Sequence, residues 1–236
     1  MHRSTRIRIL LCTVALALVG GLTVTQQARA ELDPIPLLQQ ALRFRVTIHV
    51  NPRTGFMKPA YHCRRAKEGC DERLMEFARY LADAGQQFEV DPWLLAAMAY
   101  RESSLNPFAI GGYGEAGILQ LHPRSRTSKG VRFVRDTRYR ASCQKEVGAC
   151  QREVVERAAQ MLKSSLEKCG GDLEKALGMY NTGRCGGNPP YAARVFKERK
   201  LLMKAVGLEL DGLPGSPDAP LHAATTRKEQ LRRARD

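Results

Sequence analysis

Asp91-Pro92-Trp93-Leu94-Leu95-Ala96-Ala97-Met98-Ala99-Tyr100-Arg101-Glu102-Ser103 reads as one helix with its own start signal. Asp91 is of the N-cap type and Pro92 takes the first helical position, where its missing N–H costs nothing. The apolar residues Trp93, Leu94, Leu95, Met98 and Ala99 carry the helix to about Ser103. Glu102 lies four residues after Met98 and eight after Leu94, so it shares their face. A carboxyl group then sits at the core-facing edge of a buried helix, near its C-terminal end. Desolvation raises its pKa, and the negative end of the helix dipole pushes the same way. A carboxyl that keeps its proton is a candidate general acid. Periodicity alone favours the plainer reading, a salt-bridged glutamate paired with Arg101 or a later basic residue, because structural carboxylates outnumber catalytic ones.

The same periodicity extends outward on both sides. From Asp71, Leu74, Phe77, Ala78, Leu81 and Gly85 fall at helical spacings. Downstream, Val154, Val155, Ala158, Leu162 and Leu166 mark another amphipathic helix. Asp172 caps a short one through Leu173, Ala176, Leu177 and Tyr180, and Pro189-Pro190 leads into a last helix with Val195, Leu201 and Leu202. Residues 71–206 are therefore expected to form one predominantly α domain. Residues 31–70 read as an N-terminal extension wrapping that core, with Phe44 to Val50 alternating as a strand and Pro52, Gly55 and Pro59 as breakers. The tail, 207–236, is rich in Gly, Pro and Ala, ends in a basic run and is expected to be flexible. No internal repeat is visible.

At the N-terminus, Arg3, Arg6 and Arg8 precede an apolar stretch from Ile9 to Leu22 and then Ala28-Arg29-Ala30. This is the pattern of a secretory signal peptide, residues 1–30, with an A-x-A cleavage site. The apolar run is short against the roughly 20 residues a bilayer requires, so no stable membrane span is expected after cleavage. Leu11 before Cys12 disfavours lipidation. Loss of this segment leaves Cys63, Cys70, Cys143, Cys150, Cys169 and Cys185, an even set that reads as a disulfide framework in an exported chain. Spacing suggests the neighbours 63 with 70, 143 with 150 and 169 with 185. A zinc site is the alternative, but no C-x-x-C or His-rich spacing is present. The formal charge is +14, of which Arg3, Arg6, Arg8 and Arg29 belong to the signal segment. In an exported basic chain the polyanion at hand is the cell envelope rather than nucleic acid. His2, His49, His62, His122 and His222 are scattered, and no metal or nucleotide motif appears, so no cofactor is expected. Aromatic residues make up 6% of the chain and Trp93 is its one tryptophan, so contacts to a sugar have to come mainly from tyrosines and polar groups.

Three ordered stretches change the reading of Glu102. Glu102-Ser103-Ser104-Leu105-Asn106-Pro107, Gly114-Glu115-Ala116-Gly117-Ile118-Leu119-Gln120-Leu121 and Ala176-Leu177-Gly178-Met179-Tyr180-Asn181-Thr182-Gly183 resemble the signatures of the soluble lytic transglycosylase and goose-type lysozyme family. The resemblance spans about residues 72–205. It implies a lysozyme-like helical domain with a small irregular or β segment forming a cleft, and cleavage of peptidoglycan glycan strands by a periplasmic or secreted bacterial protein. It further implies that Glu102 is the catalytic residue and that Ser103 orients its motif. Gln120 is implied to contact sugar, and Tyr180 and Asn181 to line the site. The residue types agree. Gly114 and Gly117 let the backbone approach a substrate, Gln120 offers donors and acceptors, and Tyr180 suits a hydrogen bond to the carboxylate or packing on a sugar ring.

The departures are informative. Glu115 stands where family members often have serine, Leu119 where they have methionine, and Gly178-Met179 replaces a pair of small residues. Glu115 is either a second carboxylate that acts on Glu102 or on water, or a solvated turn residue. His122-Pro123 follows the second motif where goose-type lysozymes carry an aspartate, which favours the transglycosylase branch. A basic run of Arg124, Arg126, Lys129, Arg132, Arg135, Arg138 and Arg140 comes next, with Asp136 as its one acid. It either borders the cleft or is a solvated loop. Two other functions stay open: a lysozyme-like hydrolase using Glu115, and a wall-binding protein without chemistry. No motif stands behind a protein partner at the extension or the tail.

Overall fold

The computed structural model describes residues 33–51, 56–124, 128–143 and 148–208. The signal segment, Arg126 of the basic run, and the tail beyond Leu208 lie outside these residues. Helices dominate: α1 (Pro34–Val46), α2 (Tyr61–Arg64), α3 (Cys70–Phe88), α4 (Pro92–Ser103), α5 (Arg132–Arg135), α6 (Thr137–Ser142), α7 (Arg152–Lys168), α8 (Leu173–Thr182) and α9 (Pro189–Ala205). The strands β1 (Thr47–Asn51) and β2 (Phe56–Pro59) pair antiparallel.

The start signals at Asp91 and Asp172 operate as the sequence suggests, and the structure adds Asn188 before Pro189. Asp91 Oδ1 accepts the Trp93 N–H at 2.9 Å, Asp172 Oδ1 accepts from Lys175 N at 3.0 Å, and Asn188 Oδ1 accepts from Tyr191 N at 3.1 Å. Asp91 has a second duty, because its other oxygen pairs with the buried Arg199 guanidinium of α9. One carboxylate thus caps α4 and fastens α9 to it.

α4 is the hub. α3 packs on α4 and α7, α7 on α8, α8 on α9, and α9 returns to α4, so five helices close a ring of contacts. That ring explains why Trp93 to Ala99 are all buried, since a helix flanked on both sides is apolar around most of its circumference. α4 stops where Ser104 and Leu105 take left-handed φ values of 52° and 61°. Ser104 N–H closes on Tyr100 O at 2.8 Å, and burial of the Leu105 side chain fixes the turn.

The extension is a correction to the sequence reading. Phe44 to Val46 are the last turn of α1 rather than the start of a strand, which begins only at Thr47. α1 is also part of the core and not a wrapping. Leu38, Ala41 and Leu42 are fully buried in the common apolar cluster. Arg45 stacks on Tyr100 of α4 at 4.3 Å and its Nη2 donates to Glu198 of α9 at 3.1 Å. The regular β structure therefore belongs to the extension. The segment after α4 holds isolated bridges, Ile110 with Ala116 and Ala116 with Leu121.

Three disulfides join Cys63 to Cys70, Cys143 to Cys150 and Cys169 to Cys185, the neighbours suggested by spacing. Each staples a connection between helices. Among the described residues no helix is long and apolar enough to cross a membrane.

Candidate active site

Glu102 sits in the last turn of α4, and the irregular segment that follows folds back over it. Ser103 Oγ lies 3.1 Å from Ala99 O in its own helix and 2.9 Å from Ile118 O in the returning segment, so one hydroxyl bridges the two. The Ile118 N–H is held in turn by Oε1 of the fully buried Gln151, at 3.0 Å. Gly117 is required beside it. Its φ is 82°, and a Cβ there would come within 2.9 Å of Val154 and 3.0 Å of Gln151 Oε1. α4, the returning segment and the start of α7 are thereby locked together at the level of Glu102.

A cleft of about 550 Å³ opens at this junction. Glu102, Glu115, Gln120, Tyr180 and Asn181 all line it, with His122, Met179 and the α7 residues Met161 and Ser164. Ser103 supports the wall from behind and is not part of the lining. The fold brings these five expected residues to one cleft, but their hydrogen bonds differ from expectation in two respects.

Tyr180 does not donate to the carboxylate. Its hydroxyl donates to Leu119 O at 2.9 Å, which ties α8 to the returning segment. The group that reaches Glu102 is Tyr191, in the first turn of α9, whose hydroxyl donates to Glu102 Oε1 at 2.6 Å. Sequence reasoning missed Tyr191. Its spacing with Val195 and Leu202 marks it as core-facing, yet nothing local distinguishes a hydroxyl aimed at a glutamate from one capped by backbone.

Gln120 is the second correction. Its Nε2 donates to Ala109 O at 3.0 Å and to Gly117 O at 2.9 Å, so the amide hydrogens hold the loop together and Oε1 is left as the acceptor. Its backbone, at φ 45°, is another left-handed non-glycine position beside the cleft. Glu115 also has a structural task, since its Oε2 accepts the Tyr113 N–H at 3.0 Å. Asn181 Oδ1 accepts from Asn188 Nδ2 at 2.7 Å, joining α8 to the cap of α9.

Burial is the main reason the Glu102 carboxyl is pushed above the ordinary carboxylate range. The Tyr191 hydrogen bond pulls it back, the Glu115 charge pushes it further up, and Arg101 lowers it. Tyr191 is itself raised by burial and by the charge of Glu102, which favours its protonated, donating form. Tyr180 is raised for the same two reasons.

A helical ring around one half-buried glutamate of raised pKa, with a cleft walled by an irregular segment, is a lysozyme-like arrangement. Residues 79–191 match the family described as the Transglycosylase SLT domain, which supports an SLT-type domain over this stretch. The family supports a lytic-transglycosylase type of action on peptidoglycan. No solved structure matches the chain.

Proposed function

We propose that the protein is a lytic transglycosylase that cleaves the β-1,4 bond between N-acetylmuramic acid and N-acetylglucosamine and leaves a 1,6-anhydro-muramic end, with Glu102 as acid and then base. The observation that carries this reading is one half-buried carboxyl group, raised in pKa and held by Tyr191, in the lining of a cleft. Protonated Glu102 gives its proton to the bridging oxygen as the bond to the muramic C1 breaks, and the N-acetylglucosamine leaves with a 4-hydroxyl. Positive charge on C1 is met by the neighbouring acetamido oxygen. The Glu102 carboxylate then takes the proton of the muramic 6-hydroxyl while O6 bonds to C1. The proton is back on Glu102 and no water is consumed, so one carboxyl suffices where hydrolysis by general acid and base uses two.

Tyr191 contributes by occupying Oε1, which leaves Oε2 to carry the proton and fixes the plane of the carboxyl group. Gln120 Oε1, Asn181 and Tyr180 hold the sugars. Glu115 gives a hydrolase reading its one specific support, because it lines the same cleft and acts electrostatically on Glu102. The disulfides and the signal-like N-terminus support a periplasmic or secreted location. The test is clearance of purified sacculi by the oxidised protein beside Glu102→Gln. The variant is expected to lose activity by three orders of magnitude or more. Clearance by Glu102→Gln at the wild-type rate would remove Glu102 from the chemistry.

A further inference from the structure

From the segment between Phe108 and Glu115 we infer an accessory sugar-stacking subsite at the rim of the cleft, in which the ring of Tyr113, flanked by Ile110 and Phe108, packs on an amino-sugar residue of the glycan strand beyond the bond that is cut. The inference rests on the reading of this domain as one that acts on peptidoglycan.

Tyr113 is 75% exposed, Ile110 56% and Phe108 37%. Three large apolar side chains within six residues of one segment are costly to leave in water unless something uses them. The segment is nonetheless built and not loose. The Ile110 bridge to Ala116 forms its stem, Gly111 N–H donates to Glu115 O at 2.9 Å, and Gly114 N–H donates to Gly111 O at 3.0 Å. The Phe108 N–H is taken by Asn106 Oδ1 at 3.1 Å. At the tip, Glu115 Oε2 holds the Tyr113 N–H. Gly111 makes this possible, because a Cβ there would come within 2.3 Å of the Glu115 carboxylate and 3.0 Å of Gln120 Oε1. An exposed tyrosine is thus presented on a braced turn, and the brace is made of two side chains that also line the cleft.

That continuity selects the occupant. Glu115 and Gln120 face the cleft on one side and hold the turn on the other, so a chain leaving the cleft along this wall meets the turn next. A pyranose ring offers a face of C–H bonds to the negative face of an aromatic ring, and tyrosine combines that face with little conformational entropy to lose. Trp93, the single indole, is buried at the far end of α4 and cannot take this role.

The experiment measures co-sedimentation with purified sacculi in the Glu102→Gln background, and digestion kinetics with Glu102 intact, for wild type, Tyr113→Ala and Tyr113→Phe. Tyr113 is exposed, so truncation leaves folding intact. Tyr113→Ala is expected to weaken binding about tenfold and to raise KM correspondingly, while Tyr113→Phe, which keeps the ring face, restores both. Equal binding and KM for wild type and Tyr113→Ala would overturn the subsite and leave the catalytic reading standing. So would a Tyr113→Phe variant as weak as Tyr113→Ala, since the hydroxyl and not the ring would then be the contact. Wild-type protein that neither binds nor digests sacculi would overturn the catalytic reading and the subsite with it.

Discussion

At the scale of single residues, Glu102 is held between opposing influences, and each has its own variant. Burial and Glu115 favour its protonated form, whereas Tyr191 and Arg101 favour the charged form. Activity that begins with proton donation falls as pH rises through the pKa of Glu102. Tyr191→Phe removes a lowering influence, so the alkaline limb of the pH–rate profile is expected to move to higher pH, with kcat down about ten- to a hundredfold from loss of orientation. Glu115→Gln removes a raising influence but keeps an acceptor for the Tyr113 N–H, so that limb is expected to move to lower pH with the turn intact. Shifts in the same direction for both variants would contradict the assignment. Stability follows the same logic. Because the folded-state pKa is raised, the unfolded chain loses its Glu102 proton first, and stability declines as pH climbs from the ordinary carboxylate value to the folded one. Glu102→Gln is therefore expected to unfold at a higher temperature than wild type at neutral pH, with the advantage gone in acid. Thermal melts at several pH values check this.

Among the elements, the loop between α8 and α9 most directly controls the site. Cys169 at the end of α7 is bonded to Cys185 in this loop, and the Met179 sulfur lies 3.6 Å and 3.8 Å from the two disulfide sulfurs. The loop backbone lies against α8 so closely that a Cβ on Gly178 would stand 2.7 Å from Gly187 N. The departure of Gly178-Met179 from the family pattern is explained by this contact: glycine admits the loop and methionine packs on its disulfide. Asn188 follows, capping α9 one turn before Tyr191 and donating to Asn181. Replacing both Cys169 and Cys185 by serine is expected to lower kcat by roughly tenfold and to broaden the pH profile as Tyr191 loses its register, and to cost about 2–3 kcal/mol in denaturant unfolding. Full activity in that variant would show that α9 positions Tyr191 unaided. The helices themselves were legible because their caps and periods are local: Asp91, Asp172 and the Pro189-Pro190 pair mark real starts. Tyr191 was not, because its partner is 89 residues away and a tyrosine on an apolar face looks like core. The duties of Gln120 were hidden for a similar reason, since a sequence shows an amide but not the carbonyls that the fold brings to it.

For the molecule as a whole, the extension changes what counts as the domain. Alternation over Phe44 to Val50 suggested a strand, but Leu38, Ala41, Leu42 and Val46 recur at helical spacing and are buried together, and tertiary burial decided the conformation. Leu38→Ala is expected to cost about 2–5 kcal/mol in urea unfolding, as a core truncation does, against near zero for a surface position. The family match begins at residue 79, so α1, the β pair and α2 lie outside it, yet α1 and Cys63 of α2 belong to the common buried core. The chemistry proposed for that ring is decided most directly by the masses of the soluble products released from purified peptidoglycan by the oxidised protein. Muropeptides lighter by one water than their reducing-end counterparts, and missing when Glu102→Gln replaces the wild type, are the expected result. Reducing-end products made by the same protein would contradict the transglycosylase mechanism and transfer the water-activating role to Glu115.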